Sequence, residues 1–439
     1  MPGDRLEVEV EREPGAPAAL ARARVVAVIR PGEGRVEARC PVVGRCGGCP
    51  WQALDYAAQL ARKRDDLARR IRAVPALRDA VVSPVHPVPG EPYGYRTKIQ
   101  MPVGGRPGAL EVGFYRPDRK ELVAVDDCAV QHAEGNRIVR EARAVLEGAR
   151  VAPYVEATHQ GVLRHILVRI DPGGERAALT LVCRTPALLA RRDLAASLAA
   201  IRGVSGVYVN LQPARGNVVL GRETVRLVGR ERLLLEVAGR RFLLSPTAFF
   251  QTSGPGAEAL VERVRARLAG PYRTVVDLYG GVGLFARTLA DRAERVLGVE
   301  ENRAAVEDAV AGLRLELRLA REGRAPAPGG RIEFVAAPVE RWLAGDPARP
   351  ADAVVLDPPR AGAPPDVLRG LAARLRPREV AYVSCNPLAL VRDLEALAGL
   401  GYRTAAVDPV DLFPHTPHLE CVAHLVRHAA PCPRGRGPG

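Results

Sequence analysis

Lysine is nearly absent from this 439-residue chain, with Lys63, Lys98 and Lys120 the only three. Aromatic residues make up 4%, and Met and Trp number two each. The scarcity of rings excludes a broad stacking surface, so any platform for bases has to be built from few, placed side chains. No uninterrupted apolar run approaches the roughly 20 residues that a bilayer-spanning helix needs, and the start, Met1-Pro2-Gly3-Asp4, lacks a basic-then-apolar leader pattern. These two absences predict a cytoplasmic protein with no membrane partner. The lysine shortage also bears on the charge. A formal net charge of +14 and a pI of about 9.9 favour a polyanionic partner, but the cations are almost all arginine in a chain rich in Ala, Gly and Pro. The charge is therefore a bias of the whole composition and does not by itself establish nucleic-acid binding.

The length predicts two or three domains. Eight unevenly spaced cysteines in a long cytosolic chain point to metal ligands, nucleophiles and core thiols rather than disulfides. Residues 5 to 40 hold two alternating runs, Leu6 to Val10 and Val25 to Ile29, which read as two strands of a half-barrel that two strands cannot close. Cys40, Cys46 and Cys49 follow within ten residues, with Gly47 and Gly48 letting the backbone wrap one object, as in a metal or cluster loop. Zinc and a four-iron cluster both need a fourth ligand; Cys128 is the best candidate and His132 a weaker one. Cys183, at the end of an apolar strand, reads as a core thiol. A helix is expected from Trp51 to about Ala73, with Leu54, Ala58, Ala61 and Leu67 inward.

From about 93 to 250 the pattern is strand-rich and mostly antiparallel. Expected strands include Lys98 to Val103, Leu110 to Tyr115, Leu163 to Ile170, Ala177 to Cys183, Val204 to Asn210, Asn217 to Leu220 and Arg240 to Leu244, with one clear helix from Pro186 to about Ile201. After a capped helix, Gly256 to Leu268, strands and helices alternate to about Arg427, the grammar of a doubly wound parallel sheet whose ligands sit at the carboxyl ends of the strands. The tail after His428, rich in Pro, Gly and Arg and carrying Cys432, is expected to be disordered.

Three strand ends carry the chemistry. The first ends in Asp277-Leu278-Tyr279-Gly280-Gly281-Val282-Gly283, where glycines let the backbone approach a cofactor, and the second ends in Glu300, a carboxylate that can accept two ribose hydroxyls. This much also satisfies a dinucleotide fingerprint, so a nicotinamide enzyme is a rival. The fourth ends in Asp357-Pro358-Pro359-Arg360, which a dehydrogenase has no need of and which suits a transferase holding a planar nitrogenous ring against a methyl donor. The fifth ends in Ser384-Cys385-Asn386-Pro387. A thiolate adding to C6 of uracil turns C5 into a nucleophile, and a base must then remove the C5 proton. Glu420, after the acid- and histidine-bearing stretch from Asp411, can be that base.

In these residues the chain resembles the bacterial RNA uracil-C5 methyltransferase family. The resemblance runs nearly end to end: the Cys40/Cys46/Cys49 loop with Trp51-Gln52, Tyr95-Arg96-Thr97-Lys98, Asp127-Cys128, Asn217 to Gly221, Ser245 to Ser253, Asp277 to Phe285, Asp357 to Gly362, Ser384 to Pro387 and Asp411 to Glu420. It implies an α/β chain with a partial TRAM-like RNA-binding β-barrel module (1–39), a β-rich central domain with an iron–sulfur loop (40–255), a doubly wound, Rossmann-like class I methyltransferase domain (256–428) and the tail (429–439). It implies Cys385 as nucleophile and Glu420 as base, with Gln251, Tyr279, Glu300 and Asp357 lining the S-adenosylmethionine and uracil site. Cys40, Cys46, Cys49 and Cys128 would hold a [4Fe-4S] cluster. Cluster-bearing members typically act on 23S rRNA, which makes that RNA the expected partner of a monomeric enzyme, with tRNA uridine 54 as the alternative target. Three departures stand out: only the later part of the TRAM module is matched, Leu284 stands where the family often has Asn, and Pro338 where a polar group often meets the adenine. The first predicts either an upstream start or weakened RNA affinity. Competing readings are a non-catalytic iron–sulfur RNA-binding protein and a ring-nitrogen methyltransferase.

Overall fold

The computed structural model describes residues 3–11, 22–345 and 350–428. The expected tail, with Cys432, lies outside the described residues. Arg5–Glu11 and Arg22–Arg30 pair as a two-stranded antiparallel ribbon, and no third strand joins it among the described residues.

The central region is a seven-stranded sheet in the order Glu223–Gly229, Val204–Leu211, Ala177–Cys183, Leu163–Ile170, Lys98–Arg106, Ala109–Tyr115, Leu122–Ala124. All pairings are antiparallel except Val204–Leu211 with Ala177–Cys183. Ala177–Cys183 is buried on both faces, which explains its continuous apolar run, and Cys183 is a fully buried core thiol. Three details differ from the sequence expectation. A helix, Ala133–Gly148, packs on this sheet where none was expected; its buried side includes Gly135 and Asn136, so its apolar stripe is interrupted. Asn217 to Leu220 is irregular, because the side-chain amide of Gln212 donates to the carbonyls of Val218 and Leu220 and replaces a strand ladder. The stretch from Pro186 splits into a short 3-10 turn and the helix Arg192–Ala199.

The C-terminal sheet runs in the order Arg331–Ala336, Ala293–Glu300, Tyr272–Leu278, Ala353–Leu356, Glu379–Ser384, Glu420–Arg427, Tyr402–Asp411. The first five strands are parallel, with apolar cores on both faces. The last two form an antiparallel hairpin that inserts Glu420–Arg427 beside Glu379–Ser384. Because that strand runs the opposite way, its first residue lies at the edge where the parallel strands end. Val81–Val82 and His86–Pro87 extend the sheet by pairing with Tyr402–Asp411, so a segment far upstream completes it.

The helix after the cysteine loop spans Tyr56–Arg72, with Asp55 as its N-cap accepting from the Ala58 amide at 3.1 Å. It starts later than expected, and Ala61 is exposed. The face turned inward is Gln59, Lys63, Leu67 and Ile71, a regular four-residue spacing whose first two members are polar. Their partners come from the far end of the chain. Lys63 Nζ donates to Asp411 Oδ1 at 2.7 Å and to the Phe413 carbonyl at 3.1 Å. The Gln59 side-chain oxygen accepts the His415 amide at 2.8 Å. The Lys63 and Asp411 side chains are 1% and 0% exposed. Removing one member of such a pair strands a buried charge, so Lys63→Met should lower unfolding free energy by about 3 kcal/mol, measured by urea denaturation. The double replacement Lys63→Met/Asp411→Leu should cost less than Lys63→Met alone.

Candidate active site and cysteine-lined cavity

The glycine turn follows the Tyr272–Leu278 strand. Tyr279 and Gly281 take left-handed φ values of 60° and 54°; Gly281 faces open space, where a Cβ would meet nothing within 4 Å, so ligand can approach its backbone closely. Glu300, at the end of the adjacent strand, accepts the Gly281 amide at 3.0 Å and the Asn302 amide at 2.7 Å, one on each carboxylate oxygen. Each oxygen keeps a second lone pair for a ribose hydroxyl. Tyr279 is half-buried and donates its hydroxyl to Glu340 at 3.1 Å. One participant escaped the sequence reading. Asp277 is fully buried; one oxygen accepts the Ala286 amide at 2.8 Å and the other has no partner among the described residues. Burial, opposed by that hydrogen bond and reinforced by Asp357 and Glu300, pushes its carboxyl up to about 8. An orphaned buried acceptor, a carboxylate with a lone pair left on each oxygen and an open glycine turn suit the donor-rich S-adenosylmethionine. In the sequence Asp277 stands at the head of the glycine motif that carries the resemblance, with no role of its own assigned.

Gln251 is half-buried on the 245–253 segment. Ser245 ties the start of that segment to Asp308, through its amide at 2.6 Å and its hydroxyl at 2.7 Å. The Thr252 carbonyl accepts the Thr97 amide at 2.8 Å. Ser253 then caps the helix Gly254–Arg267.

Cys385 follows the last residue of Glu379–Ser384. The strand stops there because Asn386 caps the helix Pro387–Gly399, accepting from the Leu388 amide at 3.1 Å with proline at the first helical position. Ser384 pairs with Cys421 across the antiparallel ladder, so the next step in register sets Cys385 opposite Glu420. Asp357 ends the neighbouring strand, where Leu356 pairs with Tyr382. Asn386 also donates to the Arg360 carbonyl at 2.9 Å, which ties the thiol's turn to the Asp-Pro-Pro-Arg turn. The electrostatics register the proximity. Burial, then the charges of Glu420 and Asp357, push the Cys385 thiol up to about 11, with Arg360 opposing. Burial alone pushes Asp357 up to about 7. Burial and then Asp357 hold Glu420 well above the usual carboxylate range. A thiol and two carboxyls therefore share a poorly solvated edge that disfavours negative charge until a cation arrives.

Cys40, Cys46, Cys49 and Cys128 all line one cavity of about 70 Å³, several times what one water requires. Gly47 lies against the Tyr115 and Pro117 backbone and donates to the Tyr115 carbonyl at 3.1 Å. The Gly48 amide donates to Cys46 Sγ at 3.4 Å. The cysteines are free thiols, and burial pushes Cys49 up to about 12, reinforced by Cys128, Cys46 and Cys40. Among the described residues no three His, Cys, Asp or Glu side chains stand at the spacing of a single metal ion. The four thiols and the room between them fit a group larger than one ion. His132 is not among the cavity's lining residues; its ring nitrogen accepts the Glu134 amide at the start of the 133–148 helix.

Five parallel strands followed by an antiparallel hairpin inserted beside the fifth, with this glycine turn and acidic second strand end, form the architecture of a class I, S-adenosylmethionine-dependent methyltransferase. The comparisons narrow the class. Residues 347–428 match the family described as tRNA (Uracil-5-)-methyltransferase. An uncharacterized RNA methyltransferase of Halalkalibacterium halodurans is 34% identical over 436 residues, covering 97% of this chain and 90% of the relative. One from Thermosynechococcus vestitus is 36% identical over 441 residues, covering 97% and 91%. The crystal structure of Pyrococcus abyssi tRNA (uracil-54, C5)-methyltransferase in complex with S-adenosyl-L-homocysteine superposes with a TM-score of 0.73 at 25% identity, over 95% of this chain and 91% of that one. The chain belongs to the RNA uracil-5-methyltransferase family, and it is an RNA methyltransferase. No described helix is long and apolar enough to cross a membrane.

Because the ionised Asp357 carboxylate opposes thiolate formation, Asp357→Asn should lower the Cys385 pKa. In cofactor-free enzyme the rate of Cys385 alkylation by iodoacetamide, followed by peptide mass spectrometry, should rise with pH toward about 11. The variant's curve should lie at lower pH, so that at pH 8 to 9 it reacts at least about threefold faster.

Proposed function

We propose that this enzyme methylates C5 of a uridine in RNA, with Cys385 as the nucleophile and Glu420 as the base. The observation that carries this reading is the strand register: Cys385 follows the Ser384–Cys421 pair and so meets Glu420, while Asp357 ends the adjacent strand. The target base leaves its stack, because both C5 and C6 must reach this recessed edge. Asp357 and Gln251 would hold the uracil, and Tyr279, Glu300 and Asp277 the methyl donor. The donor supplies an electrophilic methyl group on a cationic sulfur. In the resting site burial and the two carboxyls hold the Cys385 thiol up at about 11, so it rests protonated at neutral pH. Positive charge beside two carboxyls and a thiol favours their ionised forms. The Cys385 thiol gives up its proton to solvent, its Sγ adds to C6, and the C5–C6 electron pair moves onto the O4 enolate. That pair returns through C5 to the methyl carbon, whose bond to the donor's sulfur breaks, so the donor would leave as a neutral thioether. Glu420 removes the C5 proton, and the released pair restores the double bond and expels the Cys385 thiolate. A nicotinamide enzyme leaves Asp357, Cys385 and Glu420 without work.

Cys40, Cys46, Cys49 and Cys128 would bind a [4Fe-4S] cluster, as their shared cavity supports. By its resemblance to cluster-bearing enzymes the target is 23S rRNA. The second reading, tRNA uridine 54, is favoured by the likeness to the Pyrococcus abyssi enzyme.

Cys385→Ala should abolish methyl transfer and also covalent capture of 5-fluorouridine-containing RNA, scored by a gel-stable complex. A variant that still methylates at more than a trace of the wild-type rate would eliminate Cys385 as the nucleophile, and a methyl group found on a ring nitrogen would eliminate the carbon chemistry. Anaerobically purified protein should carry about four irons per chain, falling sharply in Cys49→Ser; iron-free wild-type protein would remove the cluster assignment.

A further inference from the structure

The second large feature of the molecule is a groove of about 780 Å³ in the central region, formed beside the cysteine loop. Only 4% of the chain is aromatic, yet Phe114, Tyr115 and Tyr154 line this one groove. Tyr115 is 48% exposed. Arg164 stacks on Tyr154, its guanidinium carbon 4.4 Å from the ring centroid. Arg164 is 5% exposed; its terminal nitrogens donate to the carbonyls of Gln212, Ala214 and Gly216, while its Nε has no partner among the described residues. The shift in strand register between Leu163 and His165 explains why Arg164 turns into the groove instead of the core. The lining carries four cations, Arg116, Arg119, Lys120 and Arg164, against two carboxylates, Asp118 and Glu156; Arg116 and Arg119 pair with Asp118 at 3.3 and 3.4 Å, and Arg164 lies 3.8 Å from Glu156. Lys120 forms no ion pair among the described residues.

One face of the sheet leads from the groove toward the 245–253 segment. In the Lys98–Arg106 strand, Ile99, Met101 and Val103 enter the core, so Lys98, Gln100 and Pro102 share the opposite face. Lys98 Nζ lies 5.9 Å from the ring of Phe249, which is 63% exposed and two residues before Gln251. Gln100 and Pro102 line the groove. Lys98 to Pro102 covers about 13 Å, a distance a few extended nucleotides can bridge.

We propose that this groove binds an unpaired stretch of the substrate RNA flanking the target uridine, with a base stacked on Tyr115 and a phosphate held by Lys120. The inference rests on the RNA uridine methyltransferase reading. A ring face with an adjacent excess of cations is the chemistry of single-strand binding, where each stacked base is worth about 1–3 kcal/mol. A folded acidic protein partner would not need a half-exposed ring beside the cation of Lys120.

The probes are fluorescent oligouridylates of about 4 and about 12 nucleotides, spanning the site sizes of single-strand binders, titrated onto the full chain. Wild type should bind the longer probe more tightly. Tyr115→Ala/Lys120→Ala should weaken the longer probe by about tenfold or more and flatten its salt dependence by about one unit of slope, while the shorter probe and the KM for S-adenosylmethionine stay unchanged. Equal affinity of variant and wild type for the longer probe overturns the groove assignment. Methyl transfer by wild type to transcribed 23S rRNA and tRNA is scored alongside, so a failed groove and a failed methyltransferase reading give different results.

Discussion

The structure depends on one strand pairing. Glu420–Arg427 inserts antiparallel beside Glu379–Ser384 in a sheet whose earlier strands are parallel. In a parallel neighbour, residue 420 would lie at the opposite end of the sheet from Cys385. Reversal of direction brings the beginning of one strand to the end of the other, so a carboxyl and a thiol separated by thirty-five positions meet at the carboxyl edge. A slip of one residue would turn Glu420 to the other face. The register is held by a ladder that is buried throughout from Val380 to Val383 and from Cys421 to Ala423.

That register needs the loop before it to stay in place, and the loop is held from the other half of the chain. Lys63 and Gln59 reach Asp411, Phe413 and His415. The Trp51 amide donates to the His415 carbonyl at 2.9 Å, and the Tyr93 and His415 rings lie 4.4 Å apart. His415 takes a left-handed φ of 66°, which persists because these contacts over-determine it. Trp51 and Gln52 directly follow the cysteine loop, and Gln52 accepts the Cys40 amide at 2.7 Å. The cysteine cavity is thus linked through Gln52 and Trp51 to the loop that leads to Glu420.

Much of this was legible in the sequence, and the illegible parts have specific causes. The alternation of strands and helices after residue 272 gave the sheet, and its strand ends gave Cys385, Glu300, Asp357 and the glycine turn, because ligand sites in such sheets sit at carboxyl ends. Of the residues expected inward before and along the 56–72 helix, Leu54 and Leu67 are buried, but Gln59 and Lys63 turn inward in place of Ala58 and Ala61, because partners more than three hundred positions away receive their polar groups. The 133–148 helix was missed because Gly135 and Asn136 occupy its buried stripe. Asp277 looked like a strand residue; its unpaired oxygen appears only once the neighbouring strands close around it. The insertion of 81–87 at the sheet edge follows from no local pattern, since strands of two residues leave no periodicity to read.

The central claim is that Cys385 and Glu420 divide the work, one forming the bond to the ring and the other removing the proton that lets it break. The most direct test is to incubate Glu420→Ala with RNA and S-adenosylmethionine and to sequence the trapped species by mass spectrometry. The account predicts a stable adduct joining Cys385 to a uridine that already carries the transferred methyl. Full turnover with no adduct, or an adduct through any other residue, would contradict it.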